Sequence, residues 1–393
     1  MLISSTSGYG HIFPMVPLAR ALQAAGHTVL WATTSEASPL IAAAGIEVVP
    51  AGLTHAEHIR ARDALVAAAS DVRPDEMGEY MFPRLFGGAA TPRMLADLLP
   101  LATAWAPDLL IHEQGELAAP LVAAVLDRPC VTHSFGGATP PSVVQEAGAY
   151  VAPLWVDHGR AQPPYAGCYR SAYLDICPSL IQTVPLEHIS RILRLRPVPW
   201  AGPDPERLPE GLEVESAAPL VYVTLGTVQN RAARFKAAVD AVASLAVRVL
   251  VTVGPDNDPA LLGRQPTNVT VERYVAQTAV LPRCAAVVSH GGSGTVLAGL
   301  GHGVPQVCLP QAADQFRNAE GVERSGSGRS LRPDAAGAEA IADEVRTVLQ
   351  EPAYRRNAGL VRAEIDAMPA PAAVVEQLER IVSTGELAFG GLT

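Results

Sequence analysis

The chain lacks any apolar run approaching the roughly 20 residues that cross a bilayer. Its longest, such as Ala118–Leu126, has the length of a strand or short helix. No basic region precedes the first apolar segment: Met1-Leu2-Ile3 enters a strand directly, so no secretory signal is expected. Cysteine is sparse. Its five residues, Cys130, Cys168, Cys177, Cys284 and Cys308, are odd in number and show no CxxC spacing. That pattern argues against a zinc site and a disulfide frame and suits a reduced, cytoplasmic protein. Positive charge is also short, with 29 Lys and Arg against 39 Asp and Glu and a net charge of −10. A nucleic-acid partner is therefore disfavoured. There is no GKS or GKT, which excludes a P-loop. Neither half carries G-x-G-x-x-G followed by an acidic residue at the right distance, which argues against a nicotinamide oxidoreductase.

What is present is an α/β pattern repeated twice. A chain of 393 residues is too long for one core and fits two domains. In the first half, apolar runs at Met1–Ser4, Val29–Thr33, Ile46–Pro50, Leu109–His112 and Cys130–His133 alternate with helical patterns such as Met15–Ala25. The runs are continuous rather than alternating, which predicts a parallel sheet buried on both faces. Two stretches, Thr54–Thr91 and Gly136–Asp175, interrupt the rhythm and carry aromatics, among them Tyr80, Phe82, Phe86 and Trp155. Long insertions at sheet ends often hold substrates, and each aromatic can equally be packing. Five prolines between Pro197 and Pro209 mark a stiff linker. Strands are then expected at Leu220–Leu225, Val247–Val253, Val269–Val271, Ala286–Ser289 and Gln306–Leu309, and helices at Ala335–Leu349 and Ala372–Ser383. The expected boundaries are a first domain at 1–196, a linker at 197–213, a second domain at 214–371 and a terminal helix at 372–393.

The positions that carry chemistry fall at strand ends. Val288 leads into Ser289-His290-Gly291-Gly292-Ser293-Gly294-Thr295, and a helical pattern follows at once. A strand, a glycine loop and a helix start present backbone N–H groups and a helix dipole to a phosphate. Alone, such a loop reads as a tight turn. With Gly226 and Thr227 at the end of another strand and Asp314-Gln315 downstream, it reads as a site for a nucleotide-linked ligand with hydroxyls to grip. In the first half, Gly8-Tyr9-Gly10-His11-Ile12-Phe13-Pro14 has phenylalanine where a dinucleotide fingerprint needs glycine. It offers His11 instead, at a strand end and a helix start, where a neutral ring suits a general base. Glu113, at the end of Leu109–His112, is the carboxylate to orient it. His112 reads as structural and His133 as an acceptor-site residue.

The chain resembles the family 1 glycosyltransferases of GT-B fold, especially actinobacterial enzymes that decorate antibiotics and other natural products. The markers are Gly10-His11-Ile12-Phe13-Pro14, Pro107-Asp108 through Glu113, Val223-Thr-Leu-Gly-Thr227, His290 through Thr295, and Pro310 through Gln315. The resemblance covers nearly the whole length. It implies two Rossmann-like α/β domains with parallel sheets facing an interdomain cleft, and a last helix that crosses back onto the first domain. It implies that His11 deprotonates the acceptor hydroxyl and that Glu113 stands where the family often has an aspartate. It assigns His290, Gly291, Gly292, Ser293, Gly294 and Thr295 to the diphosphate, with Gly226 and Thr227 opposite, and Asp314 and Gln315 to the donor sugar. Tyr274, Val275 and Gln277 match the stretch that holds the base, with Ala276 in place of the usual proline. Phe13, Tyr80, Phe82, Phe86, His133 and Trp155 are the expected acceptor-side residues.

The implied reaction is an inverting displacement that transfers a sugar, expected to be a deoxysugar, from a nucleoside diphosphate to a hydroxyl of a small apolar aglycone. The implied donor is dTDP-linked, with UDP-hexoses as the alternative. No metal or other cofactor is expected, and a homodimer is left open. Two rivals remain. A GT-B-like nucleotide-sugar epimerase would act on donor alone. A non-catalytic helper would be expected to lose His11 or the glycine loop, and both are present.

Overall fold

The computed structural model describes residues 1–200, 208, 217–225, 232–254 and 257–384. Among these it forms two compact units: residues 1–176, 184–196 and from Met368 onward, and residues 177–183 and 197–367.

The first unit is built on a seven-stranded parallel sheet of β1 Leu2–Ser4, β2 Leu30–Thr33, β3 Glu47–Pro50, β4 Leu110–Glu113, β5 Cys130–His133, β6 Ala172–Asp175 and β7 Ile192–Arg194. The spatial order is β3-β2-β1-β4-β5-β6-β7, with every pairing parallel. The chain winds outward from β1 in both directions, so the order reverses between β1 and β4. That switch point opens a crevice beyond the carboxyl ends of the two strands. The first two strands are fully buried, as their unbroken apolar runs predict. Leu2, Leu30, Ala32 and Leu110 join one face's core, while Ile3, Trp31 and Ile111 turn to the other, all at 0 % exposure.

Strands β6 and β7 are too short and mixed in composition to stand out in the sequence. Of the two aromatic-bearing stretches, the first folds as the helices His55–Ala68 and Met77–Phe82, a π-helical segment Pro83–Ala90 and the helix Thr91–Trp105. Widening to the π form answers a local conflict. Pro92 has no N–H to return to Gly88, and the Phe86 carbonyl instead receives both the amide and the hydroxyl of Thr91, five residues on. The second stretch holds the helix Pro141–Asp157 and ends in β6. The last helix, Pro371–Thr384, packs against the helix Val16–Ala24, and its Glu379 meets His27 at 2.9 Å.

The second unit repeats the plan with six parallel strands: β8 Leu220–Thr224, β9 Arg248–Thr252, β10 Val269–Glu272, β11 Cys284–Ser289, β12 Gln306–Cys308 and β13 Gly328–Ser330. Their order is β10-β9-β8-β11-β12-β13, so the switch point lies between β8 and β11. Along β8, Val221 and Val223 enter one core and Leu220 and Tyr222 the other.

One boundary differs from expectation. Residues 177–183, assigned by sequence to the first domain, pack with the second unit. Glu364 accepts from the amides of Ser179 and Leu180, the latter at 3.1 Å, and Gly321 lies against the Ile181 carbonyl so closely that a Cβ there would approach it to 2.3 Å. Most of the expected linker falls outside the described residues. All five cysteines are free and buried. No helix among the described residues is long and apolar enough to cross a membrane.

Candidate active site

In the first unit the site forms at the switch point. His11 lies in the opening turns of a helical run from Tyr9 to Ala24 that follows β1. Glu113 ends β4, and because Ser4 pairs with His112, its side chain emerges one residue beyond the end of β1. Glu113 Oε1 stands 3.1 Å from His11 Nδ1. The same oxygen accepts from the Thr6 hydroxyl at 2.7 Å and the Thr6 amide at 3.2 Å, and Oε2 accepts from the Gly115 amide at 2.5 Å. Burial alone would raise the Glu113 pKa, but His11, Thr6 and the Gly115 amide together hold it down to about 2. A fully buried carboxylate therefore stays charged beside an imidazole that keeps 21 % of its side chain exposed. The glutamate side chain reaches the ring while the Gly115 amide, two residues on, holds its other oxygen.

Aromatic rings frame His11. Phe86 lies 5.5 Å and Phe135 4.6 Å from it, centroid to centroid. Phe82 packs edge-on to Phe86 at 5.1 Å, supporting it from the core side. Phe13 stacks at a tilt on Tyr9, and Tyr80 sits beneath the Arg84 guanidinium. Two expected acceptor residues are corrected. Trp155 is 1 % exposed and fills the core against Gly167, because its helix turns that face inward. His133 is fully buried, and its Nδ1 donates to the Ser134 carbonyl at 2.5 Å. Burial lowers its pKa to about 4, so it is a neutral core residue. His112 is structural, as expected. Its Nδ1 donates to the Glu116 carbonyl at 2.6 Å, which leaves Nε2 to accept from Thr132 at 2.8 Å.

Sequence reasoning missed three neighbours. Phe135 has no motif around it. His58 sits on the exposed helix His55–Ala68 and lines, with Thr6, Thr34 and Glu116, a cavity of about 10 Å³. Burial and the neighbouring His11 lower the His58 pKa to about 4. Glu116 accepts from Ser4 at 2.6 Å and from the Ala118 amide at 2.6 Å at the start of the helix Ala119–Leu126. Burial outweighs these donors and pushes its pKa up to about 7.

In the second unit, β11 ends at Ser289 and the helix Ser293–Gly301 begins four residues later. Gly291 turns the loop at φ 79°, a conformation that favours glycine. At Gly292 a Cβ would meet His290 Nε2 at 2.4 Å, so that ring would have to shift. The first-turn amides of Ser293, Gly294 and Thr295 have no intrahelical partner and carry the positive end of the helix dipole. His290 is partly buried, and desolvation lowers its pKa to about 4, while its Nδ1 is buried and has no hydrogen-bond partner among the described residues. Buried polar atoms of this kind are costly unless a ligand or water meets them.

Across the loop, Asp314 precedes the helix Gln315–Arg324, with Ala313 held at φ 57°. Gln315 Oε1 accepts from the amides of Gln311 at 2.8 Å and Ala312 at 3.1 Å, stapling that turn. Tyr274 stands exposed beyond the end of β10, Val275 is core, and the Gln277 side chain turns to the Tyr222 hydroxyl. Gly226 and Thr227 lie outside the described residues.

Two doubly wound parallel units, one presenting a histidine–glutamate pair and the other a glycine loop on a helix N-terminus, each at its switch point, define a glycosyltransferase of GT-B fold. The chain belongs to the erythromycin biosynthesis protein CIII-like family, whose N-terminal domain matches residues 20–226 and whose C-terminal domain matches residues 236–381. It is 33 % identical to the L-demethylnoviosyl transferase of Streptomyces niveus, covering 96 % of this chain and 97 % of that one. Among solved structures it is similar to the glycosyltransferase VinC in complex with dTDP, with a TM-score of 0.80, 26 % identity and coverage of 98 % and 100 %. It is also similar to the spinosyn rhamnosyltransferase SpnG complexed with spinosyn aglycone, with a TM-score of 0.81, 27 % identity and coverage of 96 % and 99 %.

Proposed function

We propose that this glycosyltransferase moves a deoxysugar from a dTDP-linked donor to a hydroxyl of a small apolar natural-product aglycone, with inversion at the anomeric carbon. The observation that carries the reading is the His11–Glu113 pair. With Nδ1 facing Glu113, Nε2 is the nitrogen that takes the acceptor proton. As the acceptor oxygen bonds to the anomeric carbon, the bond from that carbon to the diphosphate oxygen breaks, and the imidazolium is stabilised by the buried Glu113 carboxylate. Phe86 and Phe135, flanking His11, supply apolar surface for the aglycone.

The diphosphate leaves into the amides at the start of the helix Ser293–Gly301, where backbone dipoles and His290 oppose the growing negative charge. Asp314 receives sugar hydroxyls. Gly226 and Thr227 complete the cradle in this reading, and Tyr274 faces the base. The reaction is proposed to need no metal, since the helix terminus supplies the counter-charge. Among the described residues no three His, Cys, Asp or Glu side chains are grouped to hold one. The dTDP preference is supported by the dTDP complex of VinC, and the aglycone class by the spinosyn complex of SpnG. Free cysteines suit a cytoplasmic enzyme.

The test is to change His11 to Ala and follow transfer and dTDP binding together. Transfer falls by about 10²-fold or more, while dTDP binding is retained. Normal transfer would remove His11 from the reaction. Calorimetry with dTDP, UDP and GDP decides the donor class, and tight UDP binding with weak dTDP binding would move the assignment to UDP-hexoses. Turnover unchanged by EDTA is expected. Conversion of donor without acceptor would instead indicate an epimerase.

A further inference from the structure

We propose that Ser293 and Asn318 are positioning residues for Asp314, and that the Ser293 hydroxyl serves the sugar side of the donor site rather than the diphosphate. The inference rests on the donor-site reading above and reassigns one residue within it. It follows from counting protons. Ser293 Oγ carries one, and it is donated to Asp314 Oδ2 at 2.6 Å, the short distance of a bond to a charged acceptor. A diphosphate at neutral pH offers only acceptors. A hydroxyl whose proton is held by a carboxylate has nothing left to give it. The phosphate therefore falls to the amides at positions 293–295, to Thr295 and to His290, whose buried Nδ1 has no partner among the described residues.

Asn318 completes the arrangement. It lies one turn into the helix Gln315–Arg324, four residues after Asp314, and its backbone amide returns to the Asp314 carbonyl at 3.0 Å. Its Nδ2 faces three acceptors: Asp314 Oδ2 at 2.9 Å, the Gly291 carbonyl at 2.9 Å and Ser293 Oγ at 3.0 Å. Its two protons are shared among these three acceptors, so the amide links the glycine loop and the start of the helix Ser293–Gly301 to the acidic residue. Both contacts to the carboxylate fall on Oδ2, which leaves Oδ1 to accept from a donor hydroxyl in this proposal. Oδ2 accepts from two donors, which fixes the carboxylate, ready to accept from a sugar without reorganising.

The test compares binding of dTDP with binding of dTDP-glucose by calorimetry in wild type, Ser293→Ala, Ser293→Thr, Asn318→Ala, Asp314→Ala and the Ser293→Ala/Asp314→Ala double variant. Thermal midpoints confirm folding. Expected are dTDP affinities within about twofold of wild type for Ser293→Ala, and a loss of about 5- to 10-fold for dTDP-glucose. Ser293→Thr keeps the hydroxyl and restores sugar-nucleotide affinity. On the Asp314→Ala background, Ser293→Ala costs nothing further. Asn318→Ala lowers dTDP-glucose affinity more than dTDP affinity. If Ser293→Ala weakens dTDP as much as dTDP-glucose, or still costs affinity without Asp314, the hydroxyl serves the phosphate and the proposal falls. A wild-type protein that binds neither nucleotide overturns the donor-site reading along with it.

Discussion

Glu113 Oε1 lies 3.1 Å from His11 Nδ1 across the switch point of the first sheet, and the Thr6 amide and hydroxyl converge on the same oxygen. The pair joins a helix start and a strand end that are about a hundred residues apart in the chain. Parallel pairing of β1 with β4 is what brings them together. Removing the charge while keeping the shape isolates its role. Glu113→Gln is expected to lower kcat by roughly 10²-fold, within the range for general-base assistance, with dTDP affinity unchanged. Glu113→Asp, one methylene shorter, is expected to retain more activity than Gln at neutral pH. Equal activity of Gln and wild type would show that the carboxylate charge plays no part.

Four histidines, two fully buried and two partly so, set an acid limit on stability. His58, His112, His133 and His290 each have a pKa lowered to about 4, chiefly by burial. Between the ordinary value near 6.5 and about 4, the unfolded chain binds protons that the folded one refuses. Stability therefore falls as pH drops through that window. Glu113, with its pKa depressed to about 2, adds a contribution that is present above the ordinary carboxylate range and lost only as pH approaches 2. A denaturation midpoint measured from pH 6.5 to 4 should decline, the four histidines outweighing Glu116. A flat profile would contradict the buried neutral state of these rings.

Glu116 works in the opposite sense. Burial raises its pKa to about 7, so the folded state holds a proton that the unfolded chain releases nearer 4.5. Its contribution is fully present below the unfolded value and disappears as pH rises through about 7. Glu116→Gln, which can still accept from the Ala118 amide, is expected to remove this limb. The variant gains stability relative to wild type as pH rises from about 4.5 to 7, as read by thermal midpoint, and the difference levels off above that. Parallel curves would show that Glu116 is already ionised at neutral pH.

Gly321 tests the packing of residues 177–183. A methyl group there meets the Ile181 backbone carbonyl at 2.3 Å, and a carbonyl in the chain cannot swing aside as a side chain does. Gly321→Ala is expected to cost about 1–3 kcal/mol. Gly359, inside the helix Pro352–Ala367, faces open space: a methyl group added there would find no atom within 4 Å. Gly359→Ala should stabilise by up to about 1 kcal/mol through helix propensity alone. Opposite signs for these two substitutions in chemical denaturation are the expected result.

Much of the fold was legible because buried parallel strands announce themselves as unbroken apolar runs. Five strands of each unit and the glycine loop after β11 stood out in this way. β6, β7 and β13 did not, since short edge-side strands with polar members, such as Gly328–Ser330, lack the run that marks a central strand. His11 and Glu113 were legible from their places at strand ends. Trp155 and His133 were misread because an aromatic or a histidine in an insertion carries no sign of which way it faces. Phe135 and His58 were missed because their importance comes only from standing near His11.

Sequence by itself determined that this chain makes two parallel α/β units and put the candidate site residues at the ends of β1, β4 and β11, because hydrophobic periodicity and strand-end loops are local properties. Only the tertiary structure decided what each polar atom does. The glycine loop read as one phosphate cradle, yet the single proton of Ser293 is given to Asp314, and Asn318, unremarkable in the sequence, binds both. A hydroxyl's role depends on where its one proton points, and that is settled by neighbours brought together through folding.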